Sequence, residues 1–169
     1  MMEMNRNLRK IGLLFLLFIL PGQYGVFAQH HKHSDHLHAH PENEIGLGNY
    51  LSYLAGEQEF AYGLHLHYLR SLDDTRFGAG IGFEKLFDEH GHQSLTIIGT
   101  YRITSPLIFS LAPGILFPNP ENPAARFVLH MEATYEIEVG SFHIGPSLEF
   151  ATTFDEYHMG LGLHVALTF

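Results

Sequence analysis

Residues 157–169 read Tyr157-His158-Met159-Gly160-Leu161-Gly162-Leu163-His164-Val165-Ala166-Leu167-Thr168-Phe169. Met159, Leu161, Leu163, Val165, Leu167 and Phe169 share one parity; His158, Gly160, Gly162, His164, Ala166 and Thr168 share the other. Successive side chains of a β-strand point to opposite faces, so this stretch is a strand with one bulky apolar face and one small or polar face. The same alternation recurs upstream. Phe60, Tyr62, Leu64, Leu66 and Tyr68 oppose Ala61, Gly63, His65 and His67; Phe127, Leu129, Met131, Ala133, Tyr135 and Ile137 oppose Val128, His130, Glu132, Thr134 and Glu136.

Eight such runs can be laid out, at 44–54, 59–70, 76–87, 92–103, 107–117, 126–138, 142–153 and 157–169. Turn chemistry separates them: Gly56-Glu57, Asp73-Asp74, Glu89-His90-Gly91, Ser105-Pro106, the Pro-rich 118–123, Gly140-Ser141 and Asp155-Glu156. The expected fold is all-β, an antiparallel up-and-down barrel of about eight strands. Which face is apolar then decides the solvent. Every Phe beyond residue 28 falls on the apolar parity, and most Tyr do, with Tyr50 the exception. A core made from the other parity, rich in Gly, His and Glu, could not be close-packed and dry. The arrangement works if the apolar residues face lipid and the small and polar ones face inward, as in a transmembrane barrel. Each run has about the 9–11 residues that a tilted spanning strand needs. Closure pairs the backbone groups that hydrocarbon would otherwise strand. Aromatic residues gather toward both sets of strand ends, and the outward-phase charges Arg70 and Lys85 stand near ends where they can reach water.

On these residues the chain resembles the small eight-stranded outer-membrane barrels of the OmpA/OmpX type, over about residues 44–169. The terminal Leu167-Thr168-Phe169 on an alternating strand is similar to the signal read by the outer-membrane insertion machinery. The resemblance implies outer-membrane lipid as the surrounding medium and, with an even strand count, both chain ends in the periplasm. It brings no catalytic residues.

The chain has 169 residues, no Cys and a formal charge of -9. Disulfides and thiolate metal sites are excluded, and the acidic balance argues against nucleic acid. Arg6, Arg9 and Lys10 precede an apolar run from Ile11 to Leu20 and a small residue at Ala28, the pattern of a secretory signal peptide over residues 1–28. The run is too short to span a bilayer comfortably as a helix. Residues 29–43 follow as a His-rich, low-complexity stretch, expected to be a disordered periplasmic tail.

Two sets of residues carry candidate chemistry. The first is the tail, with His30, His31, His33, His36, His38 and His40 within eleven positions. Clustered imidazoles bind zinc, copper or nickel without thiol oxidation. The bland alternative is a soluble linker that happens to be His-rich. The second set lies on the inward parity: His65, His67, His130, Glu132 and His164, expected at comparable depth on different strands. Other inward-phase ionisable groups are Glu84, Arg102, Arg126, Glu136, Glu138, His143, Glu149 and His158. Carboxylates and arginines inside a small barrel ordinarily form a satisfied polar plug, which argues against an open pore. The loop group Asp88, Glu89, His90 and His92 reads as a solvated hairpin tip. Ser52, Ser94, Ser110 and Ser147 offer inward hydroxyls, but none sits in a recognisable nucleophile motif, so a lipid-modifying enzyme finds little support.

The leading expectation is therefore an outer-membrane barrel that binds a divalent transition metal through its His-rich periplasmic tail, with the lumen set as a secondary site, for metal handling or beside a metal efflux system. The alternatives are a structural or adhesion-type barrel without ligand, and a soluble periplasmic lipid-binding barrel. On the same face assignment, Leu163→Arg should be damaging, while Gly162→Ser, one residue away and inward, should be tolerated better.

Overall fold

The structure is a computed structural model that describes residues 43–72, 75–120 and 122–169. The expected signal peptide, and the tail with His30, His31, His33, His36, His38 and His40, lie outside the described residues.

Strands form where the period-two runs lie: β1 (Asn43–Leu54), β2 (Glu59–Ser71), β3 (Phe77–Phe87), β4 (Gln93–Arg102), β5 (Leu107–Leu116), β6 (Arg126–Tyr135), β7 (Ile137–Val139), β8 (Phe142–Thr152) and β9 (Tyr157–Thr168). Consecutive strands pair antiparallel except β6 and β7, which both pair with β8; β1 pairs with β9, and the β6–β8 pairing closes the sheet. Successive partners Asn43, Arg70, Ala79, Gly99, Leu111, Met131, Phe150 and Met159 lead back into β1 at Tyr53, so one circuit climbs ten residues. Eight strands with that stagger tilt by about 40°, and the interior is just wide enough for side chains to fill.

β6 and β7 are one wall strand broken at Glu136, where a single strand over 126–138 was expected. Both pair with β8 in one continuous register, but Tyr135 and Glu136, which face Pro146 and Gly145, drop out. Pro146 has no N–H to donate. The β4–β5 ladder skips Ile97 and Ile98, which face Pro113 and Ala112, for the same reason.

The two faces of the wall differ as transmembrane barrels require. Ile97, Leu51 and Leu161 stand 70%, 59% and 57% exposed on the outside, while Ser52 and Ala151 are fully buried. Tyr53 meets Phe60, Tyr62 meets Phe87 and Phe127 meets Phe154 around the loop end; Phe77 meets Tyr101 at the end where Asn43 and Phe169 lie. These are the two aromatic girdles. Lys85 is outward and lays its ammonium 5.2 Å from the Phe87 ring centroid.

Two expectations need correction. Glu138 keeps the inward parity but is exposed, because β7 lies beyond the break at the barrel mouth. Gly162 will not accept Ser: a Cβ there would stand 2.0 Å from the Asn49 carbonyl oxygen and 2.6 Å from the Tyr50 ring. Backbone cannot yield at that distance, so the inward face is small here by necessity.

Candidate functional site

The lumen contains little apolar packing. Leu54, Ala61, Leu86, Leu116, Val128 and Ala151 form two small clusters toward the loop end. Apart from Tyr50, Ile98, Ala112 and Ala166, most of the rest is imidazole, carboxylate, hydroxyl and glycine. Glycine makes the space for the rings. His67 lies between Gly46 and Gly82 on its neighbouring strands, and a Cβ at Gly46 would come within 2.2 Å of the His67 ring. Gly82 makes room for the His65 ring, whose Nε2 would stand 2.5 Å from a Cβ there, and Gly48 makes room for the Tyr50 ring.

Three groups of ionisable side chains result. The central one joins β3, β6, β8 and β9. His130 Nδ1 lies 2.9 Å from Glu149 Oε1 and 3.0 Å from Glu84 Oε2, and His158 Nε2 lies 3.7 Å from Glu84 Oε1. The second gathers at the terminal end. Glu44 reaches His67 at 3.3 Å and His143 at 3.2 Å, and His67 meets His164 at 3.3 Å. Glu136 lies 3.3 Å from His143 and 3.3 Å from the Arg102 guanidinium. The third is small: His65 Nδ1 stands 3.7 Å from Glu132, which also accepts a 2.6 Å hydrogen bond from Thr134.

The five inward residues singled out from sequence are all buried or nearly so and all line one cavity, but their ligand atoms gather in different groups. His67 and His164 meet; His65 and Glu132 meet; His130 lies with Glu84 and Glu149. Comparable depth alone does not bring them to one point, because the ten-residue stagger decides which inward positions converge. The partners missed were Glu44, Glu84, Glu136, His143, Glu149 and His158. All but Glu44 were recognised as inward, and Gly145 and Gly160, which face Glu136 and Glu149, were the available signal for those two carboxylates.

Ligand atoms of Glu84, His130, Glu149 and His158 all lie within 4.8 Å of one another, as do those of Glu44, His67 and His164, and of Glu44, Glu136 and His143. Such carboxylate and imidazole sets suit borderline divalent ions. The loop group Glu57, Asp88 and His92 meets the same distance test. It holds its own hairpin instead: the His92 backbone N–H donates to Asp88 Oδ1 at 3.0 Å, and the His92 ring bonds the other oxygen. Partial burial works to raise the Asp88 carboxyl, but the His92 backbone N–H and ring outweigh it and hold the group below the ordinary Asp range.

The central group has a second aspect. Ser94 Oγ lies 3.4 Å from His130 Nε2, so hydroxyl, imidazole and carboxylate stand in hydrolytic order. Ser94 is 2% exposed, however, and both of its neighbours are committed ladder strands.

Two cavities occupy the lumen. One of about 60 Å³ lies toward the terminal end and is lined by His65, His67, Glu132 and Glu149 among others. One of about 50 Å³ lies toward the loops and is lined by Glu84, Ser94, His92 and His158. Among the described residues His130 alone lines both, so it forms the septum between them.

With this geometry in hand, likeness to solved structures can be weighed. Ail, the attachment invasion locus protein of Yersinia pestis, solved with the heparin analogue sucrose octasulfate, is 16% identical over 77% of this chain and 99% of its own, with a TM-score of 0.54. The fold is that of a small transmembrane β-barrel. A de novo designed transmembrane β-barrel, 9% identical over 75% of this chain and 97% of its own, has the same TM-score of 0.54. At these identities the likeness extends to the fold alone. No family model and no curated protein matches the chain.

Proposed function

We propose that this chain is a non-enzymatic outer-membrane barrel that binds a divalent transition metal, zinc, copper or nickel, in metal handling or beside an efflux system. The observation that carries the reading is the charge of the lumen. Glu44, Glu84, Glu132, Glu136 and Glu149 point inward, against Arg102 and Arg126 near the two mouths. Buried charge must be paired. Arg102 pairs with Glu136 and Arg126 with Glu156 at the rim, so Glu44, Glu84, Glu132 and Glu149 are left for His65, His67, His130, His143, His158 and His164 to neutralise by taking protons, or for cations held between them. The His-rich stretch 30–40 adds six imidazoles that end three residues before β1. Even strand number puts both ends of the wall on one side, which the resemblance assigns to the periplasm. Phe169, 60% exposed on the outward parity, fits recognition by the insertion machinery.

Hydrolysis fits less well. Attack by Ser94 would need amide donors for the oxyanion and room for a substrate. The cavity beside it is about 50 Å³, space for a few waters. Adhesion to a sulfated glycan, by analogy with Ail, meets an acidic rim of Glu57, Asp88, Glu89, Asp155 and Glu156, which repels polyanions.

Calorimetry on the full chain refolded in detergent tests the reading. Uptake of zinc, nickel or copper at neutral pH is expected, copper tightest by the usual affinity order. No uptake of any of the three ends the metal reading, and the ligand-free structural barrel replaces it.

A further inference from the structure

We propose that Glu84, His130, Glu149 and His158 form a lumenal binding site for one divalent ion of the zinc class, set in the septum between the two cavities. The inference rests on the metal-binding reading above and gives it a location apart from the tail.

Hydrogen bonding within the group does not close. His130 Nδ1 carries one hydrogen and faces two carboxylates, at 2.9 and 3.0 Å. It bonds Glu149 Oε1, and Glu84 Oε2 goes without. Glu149 Oε2 and His158 Nε2 likewise have no hydrogen-bond partner among the described residues. Glu84 and Glu149 are 5% and 2% exposed, so these are buried orphans, which are costly. One divalent cation resolves all of them. It neutralises two carboxylates and takes the lone pairs of two neutral imidazoles.

The spacing agrees with this. Zinc bonds of about 2.0–2.1 Å in a tetrahedron place neighbouring ligand atoms about 3.3 Å apart. His130 Nδ1 stands near that edge from both carboxylates, 2.9 Å from Glu149 Oε1 and 3.0 Å from Glu84 Oε2, and one ligand atom from each of the four residues lies within 4.8 Å of the others. If His130 binds through Nδ1, its Nε2–H points to Ser94 Oγ at 3.4 Å, the outer hydrogen bond that orients a ligand imidazole. This gives Ser94 a role that hydrolysis does not. The ligands come from four strands of a closed wall, so the frame is rigid. A route also exists, because Glu84 and His158 line the loop-end cavity, whose rim carries Glu57 and Glu156.

The test uses cobalt(II) as a visible probe on the full chain in detergent, with the six tail histidines replaced by Asn to silence that segment. One equivalent is expected to bind with the intense d–d bands of four-coordinate cobalt. In this background Glu149→Gln and His158→Gln should each weaken binding at least about 100-fold, as loss of a direct ligand must exceed loss of an outer partner. The inward control Thr96→Val should bind as before. A heat-shift gel confirms that each variant is a closed barrel. If a variant does not fold, X-ray absorption on the tail-silenced chain with zinc decides, and two nitrogen and two oxygen ligands are expected. Three or more imidazoles, or a shell of water alone, overturns the site. If the tail-silenced chain binds no metal while the unaltered chain does, the lumenal site is wrong and the general reading survives on the tail. If neither binds, both fall.

Discussion

On β9, Leu161 and Leu163 stand 57% and 43% exposed on the outside of the barrel, whereas His164, the next residue in the chain, is 4% exposed in the lumen. The outer face is an apolar belt whose partners are lipid chains, interrupted at Asn49, whose side-chain amide donates to the Leu163 carbonyl at 2.9 Å. It asks only for hydrophobicity and tolerates exchange among Leu, Ile, Val and Phe. The lumen asks for particular partners. Each imidazole and carboxylate there is read by groups on other strands, and its removal leaves a charge or a lone pair in a low-dielectric space. A single wall therefore alternates, residue by residue, between a composition constraint and a pairing constraint.

The largest expected effect lies on the pairing side. His130→Ala removes the donor between Glu84 and Glu149 and leaves both carboxylates uncompensated. Breaking a buried pair in this way costs about 3–5 kcal/mol. Urea unfolding of the metal-free barrel in lipid vesicles measures it. A loss below about 1 kcal/mol, the worth of an ordinary hydrogen bond, would show that the septum is not a paired network.

A smaller effect is expected on the outer face. Leu163→Arg places a charge in hydrocarbon at mid-strand and should cost about 2–4 kcal/mol. The inward Ser147→Ala removes a buried hydroxyl that has no hydrogen-bond partner among the described residues and should be close to neutral. The same unfolding assay compares the two. Equal costs, or the reverse order, would mean that the faces are exchanged.

The smallest effect belongs to the loop rim, where neither constraint dominates. Asp88 is held below the ordinary Asp range within its hairpin. A carboxyl with a depressed folded pKa contributes stability above its unfolded value, about 3.9, and loses it as pH falls through the folded one. The Asp88 carboxyl carbon signal should therefore titrate below the ordinary Asp range, while the barrel gel shift is unchanged. A midpoint at or above the ordinary Asp value would show that the hairpin bonds do not hold the carboxylate.

Strand existence, strand faces and the membrane as solvent were legible in the residues. They depend on period two and on which parity is bulky, and both are local. The eight runs and the observed strands coincide closely except at Glu136, where Pro146 on a neighbouring strand interrupts the ladder. Inward orientation was legible too, for His65, His67, His130, Glu132 and His164 alike. Which inward groups meet was not. His65 and His67 are one pleat apart, yet one turns to Glu132 and the other to Glu44 and His164, 97 residues away. Glu84, Glu149 and His158 converge on His130 only because the closed sheet climbs ten residues per circuit. Stagger is a property of the whole closed wall, summed over every hairpin. No single strand contains it, so the sequence by itself determined a barrel with a polar lumen, and the tertiary structure alone decided which polar groups share a site.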